Sequence, residues 1–141
     1  MPECYLLAVA QGSAMDRDTN NFTLFALVEQ LQIPADVPTA GTPDVGLAFE
    51  VHCYWRFEPD ELNRTFTWRV VAQAGAEERV SSSHRLRSET PRFRLRVQGL
   101  PLLLEGETSL QVEWEAPDEP GAWHRSPIRW PLAIERRTGA Q

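Results

Sequence analysis

Lysine is absent from this chain: all fourteen basic side chains are arginine, an absence that reflects GC-rich coding rather than chemistry. Long apolar runs are missing too. A helix that crosses a bilayer needs roughly 20 consecutive apolar residues, and the longest candidates here are interrupted by Glu29, Gln30 and Gln32. Cysteine is scarce, with only Cys4 and Cys53. The opening Met-Pro-Glu-Cys-Tyr-Leu-Leu-Ala-Val-Ala holds an Ala-x-Ala pattern but no basic segment and only a short apolar run, so it reads as a first strand rather than an export signal. A cytoplasmic chain with reduced, buried thiols is the expectation, and the sequons at Asn21 and Asn63 read as turns.

Other absences exclude chemistry. The eight glycines are dispersed and none forms a phosphate-cradling loop ahead of a helix. The Gly-x-Ser-x-Gly nucleophile pattern does not occur, which leaves Ser13 a turn serine. No cofactor is expected. Net charge is −6, and it resides in residues 1–70, where ten acids face four arginines; residues 71–141 carry ten of each. That balance disfavours non-specific nucleic-acid binding, which gains most of its affinity by neutralising phosphates.

Alternation with a period of two is what the sequence does have. Val45, Leu47, Phe49, Val51, Cys53, Trp55 and Phe57 occupy every odd position, with Gly46, Glu50, His52 and Arg56 between them. A pleated strand gathers all seven on one face, whereas a helix scatters them, so this is one long strand with a wet side. The pattern recurs at Phe66 to Val70, Phe93 to Val97, Leu110 to Trp114 and Ile128 to Ile134. Tyr5 to Val9 and Phe22 to Val28 are apolar at nearly every position, which predicts strands covered on both sides. Leu24 to Leu31 also fits helical spacing, but Phe22, Thr23 and Phe25 favour a strand. Breaks at Glu58 to Asn63, Ala74-Gly75, Ser81 to Ser83, Gly99 to Pro101, Glu105-Gly106 and Ala116 to Gly121 divide about eight strands. The expected fold is all-β, a single antiparallel β-sandwich, Ig-like or related, over residues 1–135, with 136–141 a frayed tail.

The order Cys4 to Val9, Asp16-Arg-Asp-Thr-Asn20, Phe22 to Pro34 and Val45 to Phe57 resembles a group of uncharacterised bacterial β-sandwich proteins, which open with a short strand, a polar turn, a strand ending near proline and a long alternating strand. The likeness covers about the first 60 residues. It implies a fold, and it implies no reaction.

Several constellations could carry function. Arg92, Arg94 and Arg96 alternate with Phe93, Leu95 and Val97, which sets three guanidinium groups in one row roughly 6.5–7 Å apart. Arg79, Arg85 and Arg87 extend the basic character, diluted by Glu77, Glu78 and Glu89. The ordinary reading of the row is cross-strand pairing with acids such as Glu113 and Glu115; the functional one is an anion or nucleic-acid site. Trp123, beside the Pro120-Gly121 turn, and its neighbour His124 are candidates for a contact surface. His52, His84 and His124 could serve an unfamiliar enzyme with nearby acids, but His52 and Cys53 point to opposite faces and cannot close on one metal ion. Glu113 and Glu115 share a strand face as a carboxylate pair would, and solvated strand surface explains them as well. The expectation is therefore a non-catalytic module with no metal site that binds a protein partner or a second copy of itself.

Overall fold

The computed structural model describes residues 1–36, 49–99 and 104–137. They form eleven strands: β1 (Glu3–Met15), β2 (Phe22–Leu27), β3 (Gln30–Ile33), β4 (Glu50–Arg56), β5 (Phe66–Ala74), β6 (Glu77–Val80), β7 (His84–Leu86), β8 (Arg92–Gln98), β9 (Gly106–Glu115), β10 (His124–Arg125) and β11 (Trp130–Arg136). One sheet has four strands in the order β2-β1-β4-β8. The other has seven, in the order β3-β11-β9-β5-β6, with β7 also on β5 and β10 also on β9. The all-β sandwich expected from the alternation is the fold.

The strand count exceeds eight because two rows are interrupted. β6 and β7 lie end to end along one edge of β5, pairing with Val71 to Ala74 and with Phe66 to Trp68. Ser81 to Ser83 separates them, and the Ser81 hydroxyl accepts the Val70 N–H at 2.8 Å in place of a continuous ladder. β10 and β11 likewise share one side of β9. Pairing is antiparallel throughout except for β3, which runs parallel to β11. That exception follows from a crossing at Val28, the end of the expected Phe22 to Val28 strand, beyond which the chain enters the other sheet. The Val28 N–H donates to the Val9 carbonyl in the first sheet at 2.8 Å, and its carbonyl accepts the Trp130 indole N–H from the second sheet at 2.8 Å. Residues 24–31 thus hold the end of one strand and the start of another, in two different sheets and joined by Val28 and Glu29, rather than a helix.

The alternation places the core as the sequence predicts. Val51, Cys53 and Trp55 of β4 join Leu7 and Val9 of β1 against Phe66, Trp68, Val70, Leu110, Val112, Trp114, Leu132 and Ile134 of the facing sheet. Each large side chain gains roughly 1.5–3 kcal/mol on burial. Trp55 and Trp68 meet edge to face across the sheets at 6.4 Å. Cys4 and Cys53 are buried and unbridged. Burial pushes the Cys4 thiol up to about 11 and raises that of Cys53 as well.

Three expectations need correction. β4 is not half wet: Glu50, His52 and Tyr54 on its even face are buried along with the odd face, and the proposed beginning of this strand at Val45 and Leu47 lies outside the described residues. β2 is mostly exposed, with Phe25 at 51% and Leu27 at 55%, because among the described residues it is an edge strand paired with β1 alone. The final strand continues through Arg136, the first residue of the expected tail, and the Arg136 guanidinium pairs with Glu105 at 2.6 Å and donates to the Ala35 carbonyl at 2.8 Å.

Trp68 joins the two sheets at the centre of the core, so Trp68→Ala is expected to lower unfolding free energy by about 3–5 kcal/mol in urea titration. A loss below about 1 kcal/mol would mean that the indole is not part of a packed core.

Candidate functional site

Polar side chains gather in two clusters, one on the outer face of each sheet, built around the buried Glu50 and His52 and around the buried Glu113. The first cluster lies on the outer face of the four-stranded sheet. In the β1–β2 turn, Asp16 Oδ1 accepts the N–H groups of Asp18 and Thr19 at 2.8 and 3.3 Å, and Asn20 takes a left-handed φ of 59° that asparagine tolerates. The hairpin folds across the sheet, so that the Asn20 carbonyl accepts from Arg94 of β8 at 2.6 Å. Phe22 comes to 6.1 Å from the Tyr54 ring. The Arg94 guanidinium lies over Phe22 at 4.8 Å and over Tyr54 at 5.9 Å.

Beneath this flap, His52 Nε2 meets Glu50 Oε2 at 2.9 Å, and His52 Nδ1 stands 3.5 Å from the Tyr54 hydroxyl. Arg96 approaches the other Glu50 oxygen at 3.6 Å. Burial pushes the Glu50 carboxyl up, but the neighbouring His52 and Ser13 side chains and the Arg96 charge outweigh it and hold the group below the ordinary carboxylate value. A histidine bonded to a carboxylate can move protons, but this one is completely shielded from solvent. In the described arrangement the cluster fastens the hairpin to the sheet.

The second cluster covers the outer face of the seven-stranded sheet. Arg69, Glu113 and Arg125 are direct cross-strand partners on β5, β9 and β10. Glu113 accepts from Arg69 at 2.9 Å through one oxygen and from Arg125 at 2.8 Å through the other. Arg125 also forks onto Glu78 at 2.9 and 3.1 Å. These contacts hold the Glu78 carboxyl below its ordinary value and raise Arg125 further. Trp123 caps the row, with Arg69 3.9 Å from its ring centre.

The expected site residues therefore divide. Arg92, Arg94 and Arg96 do share one face of β8, but Glu113 and Glu115 are not their partners. The neighbour of β8 is β4, whereas β9 lies in the other sheet, where Glu113 binds Arg69 and Arg125 and Glu115 accepts the Gly121 N–H at 2.7 Å. Nor are Gln111 and Glu113 solvated, both being buried. Trp123, just ahead of β10, and His124 within it make separate contacts: Trp123 covers Arg69, while His124 stacks on Trp114 at 4.4 Å. The histidines are dispersed, His52 in the four-stranded sheet and His84 and His124 in the other. Among the described residues no group of three or more His, Cys, Asp or Glu side chains is placed to hold a metal ion.

No family model matches the chain, and no curated protein matches it. No helix among the described residues is long and apolar enough to cross a membrane.

Sequence reasoning missed Glu50 and Tyr54, and it missed Arg69, Glu78 and Arg125. Tyr54 was the available signal, as an aromatic on the supposedly wet face of β4 between His52 and Arg56. A tyrosine there needs a cover.

Both clusters make specific predictions. Glu113→Ala leaves two partly buried guanidinium groups without their shared acid, and urea titration is expected to show a loss of about 3 kcal/mol, the low end for a broken buried pair because both arginines keep some contact with water. A loss of a few tenths would place the cluster with ordinary surface pairs. For Glu50, a folded-state pKa below the ordinary 4.5 contributes stability that is fully present above about pH 4.5 and disappears as pH falls through the lowered value. Urea midpoints recorded between about pH 5 and pH 3 should therefore fall more steeply for the parent than for Glu50→Gln, and parallel slopes would refute the assignment.

Proposed function

We propose that this chain is a non-catalytic module that binds another polypeptide, or a second copy of itself, through a free edge of its four-stranded sheet. The observation that carries the reading is the contrast between sealed polar groups and open edges. Of the groups able to transfer protons, Glu50, His52 and Glu113 are buried, and Gln111 beside Glu113 is buried with them. Both outer strands of the sheet, β2 and β8, have a strand neighbour on one side only among the described residues, and unpaired N–H and C=O rows are natural docking sites. The likeness of the first 60 residues to bacterial β-sandwich proteins of no established activity is compatible with such a module. Two buried, unbridged thiols suit a reducing compartment, so the cytoplasm is the location this reading takes.

The reading predicts either a concentration-dependent dimer in sedimentation velocity or a stoichiometric partner retained on the tagged chain from its native host. Strictly monomeric behaviour up to about 100 μM, well above the micromolar range of transient encounters, with no protein retained, would overturn it.

A further inference from the structure

The hydrogen-bond parity of β8 decides what its open side offers. The Gly99 N–H donates to the Phe49 carbonyl at 2.6 Å, and the Phe57 N–H to the Pro91 carbonyl at 2.8 Å. Both pairs continue the register that runs from Glu50 opposite Gln98 to Arg56 opposite Arg92. Hydrogen-bonded and non-bonded pairs alternate along an antiparallel ladder. Phe93, Leu95 and Val97 therefore direct their backbone groups to β4, and Arg92, Arg94, Arg96 and Gln98 direct theirs outward. The Arg92 carbonyl fits this parity, since it accepts the Thr90 hydroxyl at 2.8 Å instead of a ladder donor.

Side chains follow the same alternation. Phe93, Leu95 and Val97 pack against the core but remain only half-buried, unlike Val51, Cys53 and Trp55 beside them, so among the described residues no strand closes the core along this edge. On the outer face Arg94 is committed to the hairpin. Arg96 stays 56% exposed despite its contact with Glu50, and among the described residues no acid pairs with Arg92, which has Arg56 directly across from it. In a chain of net charge −6 this is a local reversal of sign. The other free edge of the sheet is less suitable, because Ala26 interrupts β2 with a positive φ of 51°, a bulge-like distortion of the kind that protects edges from pairing.

We propose that the β8 edge receives an extended acidic segment of a protein partner, which adds to the sheet as a fifth strand. Its carboxylates stand at alternate positions opposite Arg92 and Arg96, and the apolar residues between them cover Phe93, Leu95 and Val97. The proposal rests on the protein-binding reading above and names the edge and the chemistry of the partner. Backbone pairing supplies the attachment and the arginines select the acidic sequence.

The test uses a fluorescein-labelled peptide Glu-Val-Glu-Val-Glu-Val-Glu titrated with the full chain and followed by anisotropy. Saturable binding is expected, together with slowed amide exchange at Arg94, Arg96 and Gln98. Arg92→Gln should weaken binding about three-fold, and the Arg92→Gln/Arg96→Gln pair about ten-fold, from the size of cross-strand charge pairs. Near-UV circular dichroism of both variants should match the parent, and Arg92→Gln alone, altering an exposed side chain, serves if the pair misfolds. A peptide methylated on its glutamate nitrogens, or carrying lysine for glutamate, should not bind. Undiminished binding of the methylated peptide would overturn strand addition. So would a short single-stranded oligonucleotide that binds as tightly with the same arginine dependence, since that marks a general anion surface. Failure of the peptide to bind also overturns the proposal, while the broader reading survives if a dimer or retained partner forms with the β8 amides still exchanging freely.

Discussion

β4 is covered on both faces, and the four-stranded sheet is organised around that requirement. Inside, Trp55 meets Trp68 of the opposite sheet, and Val51 and Cys53 fill the space around them. Outside, Glu50, His52 and Tyr54 would face water on an ordinary sandwich. Folding the β1–β2 hairpin over them removes that water, and the removal is tolerable only because each polar group has a counterpart: Glu50 for His52, Arg96 for Glu50, and the ring faces of Tyr54 and Phe22 for Arg94. The hairpin, the middle of β8 and the outer half of β4 thus form one interdependent unit. Arg94 is the clasp, since its guanidinium alone touches the turn, the hairpin aromatic and the sheet aromatic.

The seven-stranded sheet meets the same problem differently. Among the described residues no hairpin crosses its outer face at Glu113. An alternating row of charge, Arg69, Glu113, Arg125 and Glu78, lies flat against the strands, and Trp123 shields one end. Each guanidinium has an acid and each acid has at least one guanidinium, so Glu113, the one buried member, keeps two charged partners that stay in contact with water. The sandwich thereby carries an aromatic flap on one outer face and an ionic lattice on the other, with β8 left as the regular strand whose outer backbone is uncommitted among the described residues.

How much of this was legible in the sequence depended on which interaction placed each residue. Residues positioned by burial declared themselves, because a period of two with large apolar side chains at Val51, Cys53, Trp55, Trp68, Val112 and Trp114 has one inexpensive solution. Turn chemistry was equally local, and Asn20 and Asn63 take the left-handed conformation suited to turns. What escaped was anything decided by the order of strands. Arg92, Arg94 and Arg96 plainly share a face, but whether they meet Glu113 or Glu50 depends on β4 rather than β9 being their neighbour, and no periodicity encodes adjacency. For the same reason His52 and Glu113 looked wet, since alternation tells which side of a strand a residue takes and not what else lies there. Val28 failed differently: one residue whose N–H serves one sheet and whose carbonyl serves the other ends a strand without any glycine or proline to mark the change.

The row of four rings that runs across the seven-stranded sheet has a consequence for observation. His84, Trp68, Trp114 and His124 are successive cross-strand partners, with imidazoles at both ends, and Trp55 approaches Trp68 from the opposite layer. Indoles this close share their electronic excitation, so their transitions split and acquire a signed ultraviolet dichroic couplet whose sign follows the angle between the rings. The interplanar angle of 65° between Trp55 and Trp68 exists only while the two layers are seated on each other. The molecule thus contains its own optical gauge of sheet-to-sheet registry, separate from any signal for the strands themselves.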